Sequence, residues 1–204
     1  MTPKPQDPYG VGKYASELLI KSMADPHEFE YVIGIPHNII GPRQKYDDPF
    51  RNVASIFINL MLQNRQPVIY GNGEQMRCFS FVQDTLDPLV KLGFKKGIEG
   101  ELFNLGPDEE FITINQLAVT IAELLDFDLN IQFVPGRPQE VFLANCSAEK
   151  SRKVLGYETK YTLKQGLDEM IDWIRKRGVK PFKYHLDLEV ITEKTPVTWK
   201  EKIF

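Results

Sequence analysis

The chain has 204 residues, 42% hydrophobic and 26% charged, the balance of a globular protein with a core of its own. Its 25 basic and 28 acidic residues are interspersed and leave a net charge of -3, which excludes a basic footprint for nucleic acid or an anionic membrane surface. Cys78 and Cys146 are too few for a disulfide framework or a zinc site, and no apolar run reaches the ~18 residues of a membrane span. The expectation is a cytoplasmic protein whose partners are small molecules, with no nucleic acid and no membrane among them.

Apolar residues between Val11 and Met23 recur at helical spacing and predict a helix from about Tyr9 to Ala24. After Asp25-Pro26, FEYVIGI reads as a buried central strand. NVASIFINLMLQ, residues 52–63, reads as a helix, PVIY and RCFSFV as short strands separated by an Asn72-Gly73 turn, and Asp84 to Phe94 as a further helix. ELFNLG is a strand. Thr113 with Gln116 forms a capping box for a helix to about Leu125, and NIQFVP follows as a strand. Ser147 is expected to cap a short helix to Leu155. Thr162 with Gln165 repeats the capping box before an amphipathic helix, 163–177, that Gly178 ends. This alternation predicts an α/β fold with parallel strands. The final segment, 177–204, mixes Pro, aromatics and charge without a period, so it is expected to be a tail packed over the body without a chemical role.

Tyr9 and Lys13 lie four residues apart, hence on one helical face. An ammonium beside a phenol favours phenolate, so such a pair can exchange a proton with a sugar hydroxyl. Chance alone supplies roughly 0.7 such spacing in a chain of this composition, so the pair carries weight only in company. Gly10-Val-Gly12-Lys-Tyr-Ala15 satisfies the shorthand for a dinucleotide-binding turn, but TPKPQDP before it cannot be the buried strand that turn requires. The remaining marks fall at strand ends and loops, where α/β proteins hold ligands. Asn38 follows the strand after the first helix. Arg77 and Arg137 stand in separate loops among apolar residues, and together could clamp a diphosphate. Glu140 could accept from ribose hydroxyls. His27, His37 and His185 have no metal-ligand spacing.

In order and spacing these marks resemble the extended short-chain dehydrogenase/reductase superfamily, and within it the NAD-dependent nucleotide-sugar epimerases and dehydratases, over about residues 3–176. DPYGVGKYASE is similar to SPYGxSKxxxE of that family, NIIGPRQ to NVYGPRQ, and PVIYGNGEQMRCFSFVQD to xxVYGDGxQxRDFxxVxD. The segments from GELFNLG to AELL and from GRPQEV to KQGL track its closing part.

The resemblance implies the C-terminal part of a doubly wound Rossmann-like parallel sheet plus a smaller α/β substrate-binding lobe, the two interleaved over 1–176. It implies Tyr9 as acid/base at the sugar 4-hydroxyl and Lys13 as its partner on the nicotinamide ribose, both touching NAD. Asn38, Arg77, Arg137 and Glu140 would hold the nucleoside diphosphate, and Ala144 would leave room beside the sugar. The implied reaction passes through a 4-keto intermediate, as a 4-epimerase or as a 4,6-dehydratase, and a nucleotide-sugar-binding fragment without redox chemistry is the alternative from another class. A homodimer through the first helix is the family's habit. Ile35, Cys78 and Gly12 depart from the usual Arg, Asp and Ser. The family's Gly-rich NAD turn precedes its Tyr, so Tyr9 is expected to be a mid-protein residue, and the NAD site incomplete in this chain.

Overall fold

The computed structural model describes residues 3–204. In chain order its elements begin with α1 (Pro8–Ala24), β1 (Ile33–Pro36), β2 (Ile39–Ile40), α2 (Val53–Leu62) and β3 (Val68–Tyr70). Next come β4 (Met76–Arg77), β5 (Ser80–Phe81), α3 (Val82–Phe94), β6 (Leu102–Leu105), β7 (Ile112–Thr113) and α4 (Ile114–Leu125). The last are β8 (Gln132–Val134), β9 (Leu143–Ala144), α5 (Glu149–Leu155), α6 (Leu163–Arg177) and α7 (Val197–Lys200).

Parallel pairing dominates, as the βα alternation predicts: β1 with β6, β2 with β5, β3 with β8 and β4 with β9. One pair departs from it, because β4 runs antiparallel to β7. The stretch RCFSFV is not one strand. The Asn38 side chain donates to the Cys78 carbonyl at 2.9 Å between the two halves, and the chain leaves β4, paired with β7 and β9, to pair with β2 as β5. FEYVIGI contributes only β1. It is half-exposed, with Ile35 open to solvent, because among the described residues β6 is its one neighbour.

Both predicted capping boxes form: Thr113 with Gln116 opens α4, and Thr162 with Gln165 opens α6. The third cap differs. Ala148 occupies the cap of α5; Ser147 Oγ before it accepts the Glu149 amide at 3.3 Å, and the Ala148 amide donates to Asp108 Oδ2 at 2.7 Å, so the expected serine shares this end with a carboxylate 40 residues upstream. The Asn72-Gly73 turn needs its glycine, since φ is +76° and a Cβ there would sit 1.9 Å from the Asn115 Oδ1 atom.

Helices α2, α4 and α6 pack together around Phe57, Leu117, Ile121, Leu167, Met170 and Ile174. Every residue of α2 from Ala54 to Met61 is buried, so apolar side chains ring the helix and its two polar ones, Ser55 and Asn59, are hydrogen-bonded. A smaller cluster of Ile98, Phe103, Leu105 and Leu155 joins α5 and β6. Helix α1 stands apart. It buries only Ala24 and exposes Val11, Leu18, Leu19 and Met23.

Candidate active site

Arg77 ends β4, where register sets it opposite Ile112 on one side and Ala144 on the other. Its guanidinium donates to the carbonyls of Met76 at 2.8 Å and Phe142 at 3.4 Å, and to Glu140 Oε1 at 3.0 Å. Arg137 reaches the same carboxylate from the loop after β8, its Nε donating to Glu140 Oε2 at 2.7 Å. Glu140 thus lies between two guanidiniums that approach from different elements. Burial lowers the Arg77 pKa, Glu140 opposes that shift and Arg137 adds to it. Arg137 also stacks on Tyr70, 4.8 Å from the ring centroid, and the Tyr70 hydroxyl is held by Thr198 Oγ1 at 2.5 Å.

Two neighbouring cavities share Arg137 and Trp199 as walls. One, of about 420 Å³, takes in Arg77, Glu140 and Lys194 and reaches Asp7 and Pro8 at the start of α1. The other, of about 310 Å³, is mostly apolar, with Asn38, Phe50, Phe57, Tyr70 and Thr198 among its lining. The first combines cations with a helix start; the second has the aromatic and aliphatic walls of a small-molecule pocket.

Tyr9 and Lys13 share the exposed face of α1 that their spacing predicts, with the Lys13 ammonium 5.6 Å from the Tyr9 ring centroid. Tyr9 is 73% exposed; Pro8, the residue before it, lines the arginine-bearing cavity, and Tyr9 is not among that cavity's lining residues. Gly10 and Gly12 are interior to α1, and the Gly10 amide is bound to the Asp7 carboxylate. That stretch therefore offers no free amides to a phosphate. Among the described residues, this stretch does not fit the part of an NAD site that would cradle a pyrophosphate.

Asn38 adopts a left-handed backbone, φ 42°, which Asn tolerates, and spends its amide on Cys78 while facing the apolar cavity. Cys78, where relatives are expected to carry Asp, is fully buried and donates to the Glu110 carbonyl; burial pushes its thiol up to about 11. His37 is partly buried. Its Nε2 has no partner, and burial lowers its pKa, so it is neutral near pH 7. Sequence reasoning missed Tyr70, Thr198 and Trp199. Tyr70 is a strand tyrosine like many others, and the two tail residues carry no local signal. No group of His, Cys, Asp and Glu among the described residues could hold a metal ion, and no described helix is long and apolar enough to cross a membrane.

Fold and cluster together define an α/β protein of the Rossmann-like class with a cationic cleft at the ends of its strands. The family model for GDP-mannose 4,6 dehydratase matches residues 2–170, and the chain belongs to that family, within the NAD-dependent epimerase/dehydratases of the short-chain dehydrogenase/reductase superfamily. It is 34% identical to UDP-glucuronic acid decarboxylase 2 of Arabidopsis thaliana, over 83% of this chain and 37% of that protein. A putative UDP-glucose 4-epimerase of Methanocaldococcus jannaschii is 32% identical over 85% of this chain and 55% of its own. Among solved structures, UDP-glucuronic acid 4-epimerase from Bacillus cereus, in complex with UDP-glucuronic acid and NAD, superposes with a TM-score of 0.80 at 27% identity, over 87% of this chain and 55% of that one. The chain thus spans about half, or less, of the length of the proteins it matches.

Proposed function

We propose that this chain is the catalytic-helix and substrate-binding part of an NAD-dependent nucleotide-sugar epimerase of the 4-epimerase type. The observation that carries the reading is the convergence of Arg77 and Arg137 on Glu140 in a cavity that opens onto the start of α1. Two guanidiniums in fixed geometry suit the two phosphates of a nucleoside diphosphate, which would displace part of their bonding to Glu140. The adjoining apolar cavity takes the nucleoside, with Asn38 at its polar edge. The sugar then points along the cleft past Ala144 to Tyr9, whose phenolate, stabilised by Lys13, accepts the proton of the sugar 4-hydroxyl and, as the phenol, returns it. The bound dinucleotide supplies the hydride chemistry at that carbon. A homodimer packed through the exposed face of α1 is part of the same reading.

The test joins this chain to a dinucleotide-binding half and follows a UDP-sugar through turnover. Tyr9→Phe is expected to lower kcat by about 10²- to 10⁴-fold, the usual contribution of a positioned acid/base. Full activity in that variant sinks the assignment. The family model favours a second reading, a nucleotide-sugar 4,6-dehydratase, and the product separates the two: a 4-epimer in one case, a 4-keto-6-deoxy sugar in the other. The helical Gly10–Gly12 stretch favours a third, a nucleotide-sugar-binding fragment without redox chemistry. Calorimetry on the 204-residue chain decides it, since that fragment binds UDP-sugar and not NAD.

A further inference from the structure

The C-terminal segment lies outside the residues that the family model matches, 2–170, and yet it walls both cavities. It is tied to the body at points spread along its length. Asn59 holds Lys180 in both directions, with Nδ2 donating to its carbonyl at 2.9 Å and Oδ1 accepting its amide at 3.2 Å. The Lys183 amide donates to the Asp47 carbonyl at 2.8 Å, and Arg65 donates to the Ile203 carbonyl at 2.8 Å. Between these ties the chain folds back on itself, because the Tyr184 hydroxyl donates to the Thr198 carbonyl at 3.1 Å and accepts the Phe204 amide at 3.1 Å.

This course brings α7 over the cleft. Thr198 is fully buried against Tyr70, the residue that carries Arg137 on its ring. Trp199, the next residue, keeps part of its surface free, lines both cavities, and stands edge-on to Phe50, 5.5 Å between centroids at 69°. Its indole is therefore braced on one side by an aromatic ring and open to the cavities, at the point where the apolar one meets the arginines. A ligand with a flat aromatic group joined to phosphates would lay the former against the indole when the latter meet Arg77 and Arg137.

We propose that Trp199 is a substrate-contacting residue of the site, its indole forming the wall on which the nucleobase of a nucleoside diphosphate stacks. The C-terminal segment is on this view a built part of the nucleotide pocket. The inference rests on the nucleotide-sugar reading above, and its test separates the two.

The chain has two tryptophans, and Trp173 packs against Tyr46 and Arg177, away from the cavities. In the 204-residue chain carrying Trp173→Phe, UDP is expected to quench the remaining indole fluorescence saturably, whereas inorganic pyrophosphate leaves it unchanged. Trp199→Ala is expected to weaken UDP binding by about 5- to 100-fold, the range of one base–aromatic stack, with pyrophosphate affinity unaltered. Arg77→Ala weakens both ligands. Equal UDP affinity in Trp199→Ala and the parent, or UDP binding without a fluorescence change, overturns the stacking role while the clamp stands. Equal loss of UDP and pyrophosphate in Trp199→Ala also overturns it, because the residue would then act only by holding Arg137. Removal of residues 192–204 that tightens UDP binding overturns it too, as the mark of an occluding plug. No UDP binding by the parent chain brings down the nucleotide-sugar reading itself. The fluorescence arm leaves Trp199 intact, so it stands even if the alanine variant fails to fold.

Discussion

Glu140 satisfies Arg77 and Arg137 at once, and Arg77 is largely shielded from water there while Arg137 stays about a third exposed. Removing that anion leaves two like charges facing each other in a cleft, where water screens them poorly. Glu140→Gln is expected to lower unfolding stability by about 1–3 kcal/mol, the usual worth of hydrogen bonds to a charged group. UDP should restore a larger share of stability to this variant than to the parent chain, since its phosphates replace the missing charge and a ligand that binds only the folded state stabilises it. Urea unfolding with and without UDP measures both effects. A variant as stable as its parent without ligand contradicts the account. The residue identities of this cluster were readable in the chain, since arginines set among apolar strand residues are out of place unless they serve a ligand or an ion pair. Its pairing was not, because Arg77 and Glu140 stand 63 positions apart and meet only when β4 lies beside β9.

Elements whose ends are fixed locally were legible to within a residue or two. Both Thr…Gln capping boxes act within one turn of chain, so α4 and α6 begin where the residues say they begin. Helix α5 has a weaker local device, a single bond from the Glu149 amide to Ser147 Oγ at 3.3 Å. Its start also depends on Asp108, which accepts the Ala148 amide and pairs with the Arg152 guanidinium of the helix itself. The hydrogen bond from Arg152 holds the Asp108 carboxyl below its ordinary value of 3.8, partial burial opposes the shift, and the Ala148 amide supports it. The folded state therefore favours the ionised form. Its stabilising contribution is complete above the ordinary value and is lost as pH falls below it, through the depressed one. Urea midpoints measured from pH 6 down to about pH 2 should fall at the acid end, and Asp108→Asn should flatten that part of the curve. An unchanged slope in the variant removes Asp108 from the account.

Over the whole molecule, the buried core sits among α2, α4 and α6, and apolar surface is left uncovered on α1 and along β1. Val11, Leu18, Leu19 and Met23 form too large an uncovered face for an isolated chain to keep in water without cost. The 204-residue chain is expected to elute from a sizing column above its 23.5 kDa mass, with an apparent size that grows with concentration. Val11→Lys with Leu19→Lys should shift it back towards the monomer. A parent chain that runs as a monomer at all concentrations contradicts the packing role of that face.

The amino-acid sequence by itself determined the α/β class, the helices with their local caps, and the identity of Tyr9, Lys13, Arg77, Arg137 and Glu140 as the residues to watch. These rest on periodicity, capping and order along the chain, which act over a few positions or are simply counted. Only the tertiary structure decided that one carboxylate holds both arginines, that RCFSFV divides between two sheets, and that the final segment walls the cleft. Tyr70 and Thr198 lie 128 positions apart, and nothing local to either specifies the other. Their contact exists because α2 supplies Asn59 and the loop before it supplies Asp47 as fixed anchors for the returning chain, and those anchors stand in place only once the core has formed.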